Sequence, residues 1–198
     1  MGVSVVSIVE GHSEQQSVPV LLRRLQARLG TYQVRIARPF RVKRNRVVRE
    51  GELERAVTQA LRSRENTGAL LLLLDADDDC PVRLGQSLLA RCRACTGLPV
   101  AVVLANREFE AWFLGAKDSL RGVRAVRPDA QAPTDPETIR GAKERLSANM
   151  AGRRYLEVDD QPALATKMDI DLAVRRCRSF AKFVRDTAGL LSHLDDSR

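Results

Sequence analysis

The feature that most constrains the fold is a run of six apolar residues, Ala69–Leu74, between Gly68 and a dense group of acids (LLLLDADDDC, residues 71–80). Six residues are too few to span a membrane, and this length is typical of a strand. Because the run has no polar alternation, it predicts a central strand buried on both faces of a parallel sheet. Carboxylates repel one another, so the acids after it indicate either a solvated turn or a cation site.

Strand and helix signals alternate along the first 120 residues. Runs rich in Val, Ile or Leu predict strands at 2–9, 32–37, 69–74 and 98–105. Ser13 and Gln16 have the spacing of a capping box, and a helix with Leu21, Leu22, Leu25 and Leu29 on one face follows. Further helices are predicted at 52–64 and 83–94, and another is opened by REFEAWFLG (107–115). This order favours an α/β fold with helices on both faces of the sheet.

Polar residues follow three of the predicted strands. Glu10 comes after the first, Asp75 after the apolar run, and Asn106 after the strand at 98–105. Functional groups in parallel sheets collect beyond the carboxyl ends of the strands. We therefore expect these three residues to meet at one edge of the sheet.

The sequence pattern of the chain changes after about Arg121. Three prolines, Pro128, Pro133 and Pro136, mark a linker. Helices are predicted at 137–150 and from Asp169 to about Leu191, with Asp169 as the N-cap and an irregular stretch at 155–167. We expect a domain at 1–120 and, at 121–198, a linker and helical C-terminal extension packed on the same core.

The charge balance is basic, with 33 Lys and Arg against 25 Asp and Glu. It is most one-sided between Gly30 and Arg49, where seven basic residues occur without an acid. This pattern indicates either a phosphate-binding edge or a solvated loop in an arginine-rich protein. The predicted nucleic-acid-binding residues are Arg38, Arg41, Lys43, Arg44 and Arg46.

The spacing of the cysteines bears on metal binding, and the N-terminal residues bear on cellular location. Cys92 and Cys95 form a CxxC, but no second ligand pair has suitable spacing, so we expect no structural zinc. The N-terminus lacks the basic leader of a signal peptide. We expect a cytoplasmic protein with no membrane contact, and the sequence leaves open whether it forms a homo-oligomer.

Several known metal- and phosphate-binding motifs fit the chain poorly. An EF-hand loop would need Gly where Cys80 stands and Glu where Gln86 stands. The chain has no Gly-Lys pair, which excludes a P-loop. A haloacid-dehalogenase-type phosphatase would carry Asp-x-Asp on its first strand. A glycosyltransferase Asp-x-Asp motif remains an alternative.

Four stretches carry a resemblance to a known superfamily. VEGHSEQQSVPVLLRRL (9–25) after the first strand and LLLLDADDDCP (71–81) after a later one resemble the paired acid motifs of the TOPRIM domain. NREFEAWFLG (106–115) and DQPALATKMDIDLA (160–173) are similar to a bacterial family of small, largely uncharacterised TOPRIM proteins. That family is related in motif to the overcoming-lysogenization-defect nucleases. The resemblance implies a TOPRIM-like parallel sheet flanked by helices.

The resemblance also implies site residues. Glu10 matches the TOPRIM glutamate, Asp75 and Asp77 match its Asp-x-Asp, and Glu14 takes the place of an acid used for a second metal. Glu108 or Glu110 is expected to complete the metal site, and Lys167 to supply a cation near the reaction centre. Alternation along an extended chain would place Asp75 and Asp77 on the same side.

The function these features predict is Mg²⁺- or Mn²⁺-dependent cleavage of DNA or RNA, in phage defence or RNA processing. Such chemistry needs negative charge neutralised on the attacking and leaving oxygens, which divalent ions held by carboxylates can do. Two other classes stay open. One is a metal-dependent nucleotidyl or glycosyl transferase, and the other is a non-catalytic nucleic-acid-binding partner of an ATPase encoded elsewhere.

Overall fold

The computed structural model describes residues 2–63 and 66–196. Its centre is a five-stranded sheet in which every strand pairing is parallel. The strands are β1 (Ser4–Val9), β2 (Arg35–Ile36), β3 (Phe40–Arg41), β4 (Thr67–Asp75) and β5 (Val100–Ala105). Their order is β2-β1-β4-β5, and β3 pairs with β1 further along that strand than β2 does. The predicted α/β class with a parallel sheet is confirmed.

The apolar run forms the central strand that it predicts. Residues Ala69–Leu74 of β4 are each at most 2% exposed, and all of β1 is buried. Alternate leucines of β4 belong to different cores: Leu71 and Leu73 to one, and Leu70, Leu72 and Leu74 to the other. Because each face has its own core, neither face needs polar residues.

Ten α-helices and one 3₁₀ turn (Pro136–Thr138) surround the sheet within the described ranges. The helices are α1 (Glu14–Leu29), α2 (Arg44–Val47), α3 (Glu52–Arg62), α4 (Pro81–Cys95), α5 (Ala111–Gly115), α6 (Lys117–Leu120), α7 (Ala142–Ala148), α8 (Glu157–Lys167), α9 (Ile170–Arg176) and α10 (Arg178–Asp196). None of the helices in these ranges is both long enough and apolar enough to cross a lipid bilayer.

The two faces of the sheet are covered by different parts of the chain. Helices α3 and α4 cover one face, where Val57 and Leu88 pack with the even-numbered leucines of β4. Helix α1 and the C-terminal helices cover the other, where Leu22, Phe180 and Leu191 share a core with β1. The residues after 121 therefore pack on the same core as the sheet.

Helix α1 begins differently from expectation. Ser13 makes no side-chain cap, so the predicted capping box does not form, and its carbonyl instead accepts the N–H groups of Gln16 and Ser17. The helix ends at Gly30, whose left-handed backbone (φ 74°) suits glycine. The predicted strand at 32–37 shortens to Arg35–Ile36, and the helix predicted at 83–94 already begins at Pro81. The helix predicted at 52–64 is observed as Glu52–Arg62, and its predicted last residue, Arg64, lies outside the described residues.

The C-terminal part departs most from expectation. The stretch at 155–167, predicted to be irregular, contains helix α8, whose first turn carries the acids Glu157, Asp159 and Asp160 that favour a helix N-terminus. The helix predicted at 137–150 is reduced to a 3₁₀ turn and α7, with Gly141 in the left-handed region (φ 69°) between them. The long last helix is split at Cys177 into α9 and α10.

One prediction for this part is confirmed. Asp169 caps α9, and its Oδ1 accepts the N–H of Leu172 at 2.9 Å.

Candidate functional site

The carboxyl ends of β1, β4 and β5 lie side by side. Ile8 pairs with Leu72, and Asp75 pairs with Ala105, so the three strands finish at one edge of the sheet. Glu10, Asp75 and Asn106 therefore share that edge, as the sequence predicts. Only the first two enter the site described below, because Asn106 donates its N–H to Ser179 Oγ on the side of α10.

Four carboxylates make up what we call the acid cluster: Glu10, Glu14, Asp75 and Glu110. They come from the end of β1, the start of α1, the end of β4 and the residue before α5. Their proximity is visible in their electrostatics, because burial raises the pKa of Asp75 well above its usual value, and Glu110, Glu14 and Glu10 raise it further. A bound cation or added protons would relieve this mutual repulsion.

Glu10 has a raised pKa for related reasons. Burial contributes most, followed by the negative charges of Asp77 and Glu14. Arg44 opposes this shift through its charge and through its backbone N–H, which donates to the Glu10 carboxylate. Glu10 therefore links the acid cluster to the basic stretch of the sequence.

Glu14 folds back over Gly11. A Cβ atom at position 11 would collide with the Glu14 carboxylate, so only glycine leaves room for the side chain in this position. Glycine provides space here, and not an unusual backbone angle, because an added Cβ would meet the end of the flexible Glu14 side chain. Any larger residue at position 11 would push Glu14 away from the other acids.

Glu110 is the deepest member of the acid cluster, with 1% exposure. Its Oε1 accepts hydrogen bonds from Tyr155 Oη at 3.1 Å and from Gln161 Nε2 at 3.2 Å. Its Oε2 is buried and has no hydrogen-bond partner among the described residues. Burial raises the pKa of Glu110 to about 7, although Lys143 and Gln161 act against the rise. A buried oxygen without a donor is a place where a cation or a proton would be stabilised.

Lys143 is a cation beside the acid cluster, and no motif in the sequence indicated this role. Its Nζ lies 3.0 Å from Glu157 Oε1. Burial alone would lower the pKa of Lys143, but the charges of Glu110, Glu157 and Asp75 outweigh burial and raise it. The ammonium group is therefore charged at neutral pH and faces the acids.

Glu108 positions that lysine. Its carboxylate accepts the backbone N–H groups of Gly141, Ala142 and Lys143 at 2.9, 3.2 and 3.4 Å, at the start of α7. A carboxylate at a helix N-terminus stabilises the helix. Glu108, predicted as an alternative metal ligand to Glu110, is thus engaged as a cap, and Glu110 is the member of that pair within the acid cluster.

Lys167, the lysine predicted to lie near the reaction centre, is not among these acids. It is exposed at the C-terminal end of α8. The helix reaches the acid cluster through Gln161, which contacts Glu110, and Lys167 lies six residues, or about 9 Å, further along the axis. That prediction rested on loop position alone, whereas the stretch is in fact helical.

Asp77 stands apart from Asp75. Strand β4 ends at Asp75, and Asp77 adopts a left-handed backbone (φ 50°), so the two residues do not follow the alternation of an extended chain. The Asp77 carboxylate is 56% exposed and lies 3.3 Å from Arg44 Nε. It remains close enough to raise the pKa of Glu10.

Arg44 holds the loop that carries these aspartates. Its Nε and Nη2 donate to the carbonyls of Asp75 and Ala76 at 2.9 and 3.0 Å, and it also pairs with Asp79. Only 16% of the Arg44 side chain is exposed. The residue predicted to bind nucleic acid therefore serves as an internal brace, because the carbonyls at the strand end need a donor.

The other predicted nucleic-acid-binding residues lie near the surface. Arg41 and Lys43 line a cleft between β3 and α3, together with Arg46, which also pairs with Glu52 at 2.7 Å. Arg38 is exposed on the chain before β3. The structure therefore brings three of the five predicted residues into one concave surface.

The acid cluster has the properties of a site for a hard divalent cation such as Mg²⁺ or Mn²⁺. Its ligands are oxygens, its carboxylates repel one another, and Glu110 Oε2 has no hydrogen-bond partner among the described residues. Across residues 2–63 and 66–196, however, no three His, Cys, Asp or Glu side chains are close enough together to hold a metal ion as they stand. The carboxylates would have to draw together around an ion; Glu10 lies in the bend after β1 and Glu14 is the first residue of α1, and both are partly exposed.

The fold and the site define a class: an α/β protein with a carboxylate cluster and an adjacent lysine at the carboxyl edge of a parallel sheet. The model of the family described as Domain of unknown function (DUF4276) matches residues 9–186, and the chain belongs to this family. No curated protein matches the chain.

Among solved structures, the chain is similar to the C-terminal region of the Xanthomonas campestris pv. campestris OLD protein. The identity is 18% and the TM-score 0.47, with 98% of this chain and 94% of that chain covered. A similarity at this level carries no argument about activity, which has to be inferred from the site itself.

Proposed function

We propose that this protein is a divalent-cation-dependent nuclease of the TOPRIM type, which hydrolyses phosphodiester bonds of DNA or RNA. The observation that carries the proposal is the acid cluster, in which burial and like charges raise the pKa values of Glu10, Asp75 and Glu110. Buried acids with perturbed pKa values concentrate at functional sites. Their order, a glutamate after β1 and an aspartate at the end of β4, supports the resemblance to TOPRIM domains.

Glu10, Glu14, Asp75 and Glu110 would hold Mg²⁺ or Mn²⁺, with Asp77 within reach of Glu10. When bound, the ion would neutralise charge on the scissile phosphate and make water a better nucleophile at neutral pH. The protein's own part is to exclude water from one side of the site, where Phe109, Trp112 and Phe113 form a buried aromatic layer next to Glu110.

Lys143 is the residue that would stabilise negative charge on the phosphate. Its ammonium group is charged, partly exposed and held next to Asp75 and Glu110 by the cap that Glu108 forms. A substrate phosphate would compete with Glu157 for it. A fixed cation aimed at developing charge is among the most effective catalytic devices.

The proposal is tested by incubating the pure protein with labelled single- and double-stranded DNA and RNA in Mg²⁺, Mn²⁺ or chelator. Cleavage in the presence of metal should be lost in Glu10→Gln and reduced about 100-fold in Lys143→Met. Asp171→Asn is the matched control, because Asp171 pairs with Arg28 at the far end of α1 from Glu14. Cleavage by Glu10→Gln at the parental rate would show that a contaminant cuts the substrate.

A second candidate function has one specific observation in its favour. Asp77, Asp78 and Asp79 all pair with arginines, as expected of a non-catalytic protein that lends a nucleic-acid-binding surface to an ATPase encoded elsewhere. The four members of the acid cluster have no such arginine side-chain partner within the described chain, which is why the nuclease is preferred. Metal-independent binding without cleavage of any of the four substrates would favour the second candidate.

A further inference from the structure

A basic cleft of about 310 Å³ lies between β3 and α3. Its wall on the β3 side carries Phe40, Arg41 and Lys43, and its wall on the α3 side carries Arg55 and Gln59. Arg55 and Gln59 lie outside the basic stretch of the sequence and join the cleft only through the packing of α3. This volume is within the range of small-ligand pockets.

The backbone ties the cleft to the acid cluster. Arg41 pairs with Val9, the residue before Glu10, and the N–H of Val42 donates to the Val9 carbonyl at 2.9 Å. Two residues further on, the N–H of Arg44 donates to the Glu10 carboxylate. Neighbouring strands are about 4.8 Å apart, so β3, which carries one wall of the cleft, runs beside the end of β1 that leads to Glu10.

The chemistry of the cleft fits a nucleotide better than a bare anion. Arg46 and Arg55 are 62% and 71% exposed, and Glu52 holds both guanidinium groups, at 2.7 and 3.1 Å. Guanidinium groups fixed in this way suit phosphate oxygens. Phe40 is only partly buried and lies in the same cleft, where an aromatic ring can stack on a base. The Gln59 amide adds a donor and an acceptor.

We propose that this cleft binds an unpaired nucleotide of the substrate, with its phosphates on Arg41, Lys43 and Arg55 and its base on Phe40. The inference rests on the proposed nuclease function and names the substrate class, nucleic acid that is single-stranded next to the cleavage point. A base within a duplex is stacked and paired, and it reaches such a cleft only after it leaves the helix.

Binding in chelator tests this inference without any cleavage. The probes are fluorescein-labelled 12-nucleotide single strands of DNA and RNA and a hairpin duplex, and the readout is anisotropy across a salt series. Phe40→Leu, which keeps an apolar side chain, should weaken single-strand binding about 10-fold and leave duplex binding within about twofold. Arg41→Gln with Lys43→Gln should reduce the log–log salt slope for single strands by about 1.4, from two contacts of about 0.7 each.

Arg175→Gln on α9 is the control for charge removal, because it takes one positive charge, half of that lost in Arg41→Gln with Lys43→Gln, from an exposed residue on the face opposite α3. Thermal melting confirms that each variant is folded. Parental binding by the cleft variants, or an equal loss for single strands and duplex in Phe40→Leu, would overturn the inference. Such a result leaves the nuclease proposal standing, since that proposal falls if no substrate is cleaved in the presence of metal or if Glu10→Gln and Asp75→Asn cleave like the parent.

Discussion

Asp75 and Asp78 are three positions apart in one acidic stretch, and they have opposite environments. Burial and neighbouring carboxylates raise the pKa of Asp75. Arg140 and Arg107, at 2.8 and 2.9 Å, lower the pKa of the exposed Asp78. A cation would relieve the repulsion on the Asp75 carboxylate, whereas the Asp78 carboxylate already has two arginines as counter-ions. The same residue type therefore takes on different roles according to where the strand ends.

Asp160 shows that burial and ion pairing have separate effects on the pKa of a carboxylate. It is as inaccessible as any residue of the core, at 0% exposure, yet its pKa is lowered. Burial would raise that pKa, but hydrogen bonds from Arg153, Arg124 and the Leu156 N–H outweigh burial. The lack of arginine side-chain partners in the described part of the chain, more than burial, thus distinguishes the acid cluster from Asp160.

Neutralising Asp75 should have the largest effect. Asp75→Asn keeps an acceptor for the Phe109 N–H, which lies 2.8 Å from Oδ1, but removes the charge. Cleavage should fall about 100-fold or more, while melting temperature without metal should rise because repulsion is relieved. Asp78→Asn should stay within about threefold of the parent in a single-turnover assay. Equal losses in the two variants would remove the distinction between these aspartates.

Asp160→Asn should cost about 2 to 3 kcal/mol of unfolding free energy at pH 7, because two arginines lose a charged partner. The lowered pKa means that this stabilisation is present above the usual value of 3.8 and is lost as the pH falls through the folded-state pKa. The difference between parent and variant in urea melts should therefore shrink below about pH 4. A difference that stays constant down to pH 3 would contradict the role of the charge.

Mg²⁺ or Mn²⁺ at ten times its Kd should stabilise the parent by about 1.4 kcal/mol, since an unfolded chain cannot assemble the acid cluster. For a chain of this length that corresponds to about 3 to 6 °C in melting temperature. The response should persist in Asp79→Asn and disappear in Asp75→Asn and Glu10→Gln at matched ionic strength. A response that is the same in all four proteins would mean that the ions act by screening alone.

Arg44→Gln should have the smallest effect, about 1 kcal/mol. It removes donors from the carbonyls of Asp75 and Ala76, and the exposed pairs with Asp77 and Asp79 add little. Arg107→Gln, which loses a pair with Asp78, is the control and should change stability by less than about 0.5 kcal/mol. Chemical denaturation measures both, and indistinguishable values would argue against Arg44 as a brace of the loop.

The predictable part of the candidate site is the part that rests on strand order. Glu10 and Asp75 could be placed together because each follows a strand and parallel strands finish at one edge. Glu110 could only be offered beside Glu108, since both follow the same strand. Which of them turns inward depends on Tyr155 and Gln161, which lie 45 and 51 residues away in sequence.

The sequence by itself determined the sheet, because Ala69–Leu74 has no polar residue to face water and must be covered on both sides. It also determined where the acids emerge. The tertiary structure alone decided which charges meet them: Lys143 rather than Lys167, Arg44 as a brace and Arg55 in the cleft. Periodicity and caps report on neighbours within a turn or a strand, whereas charge partners are fixed only when helices distant in sequence pack against the same sheet.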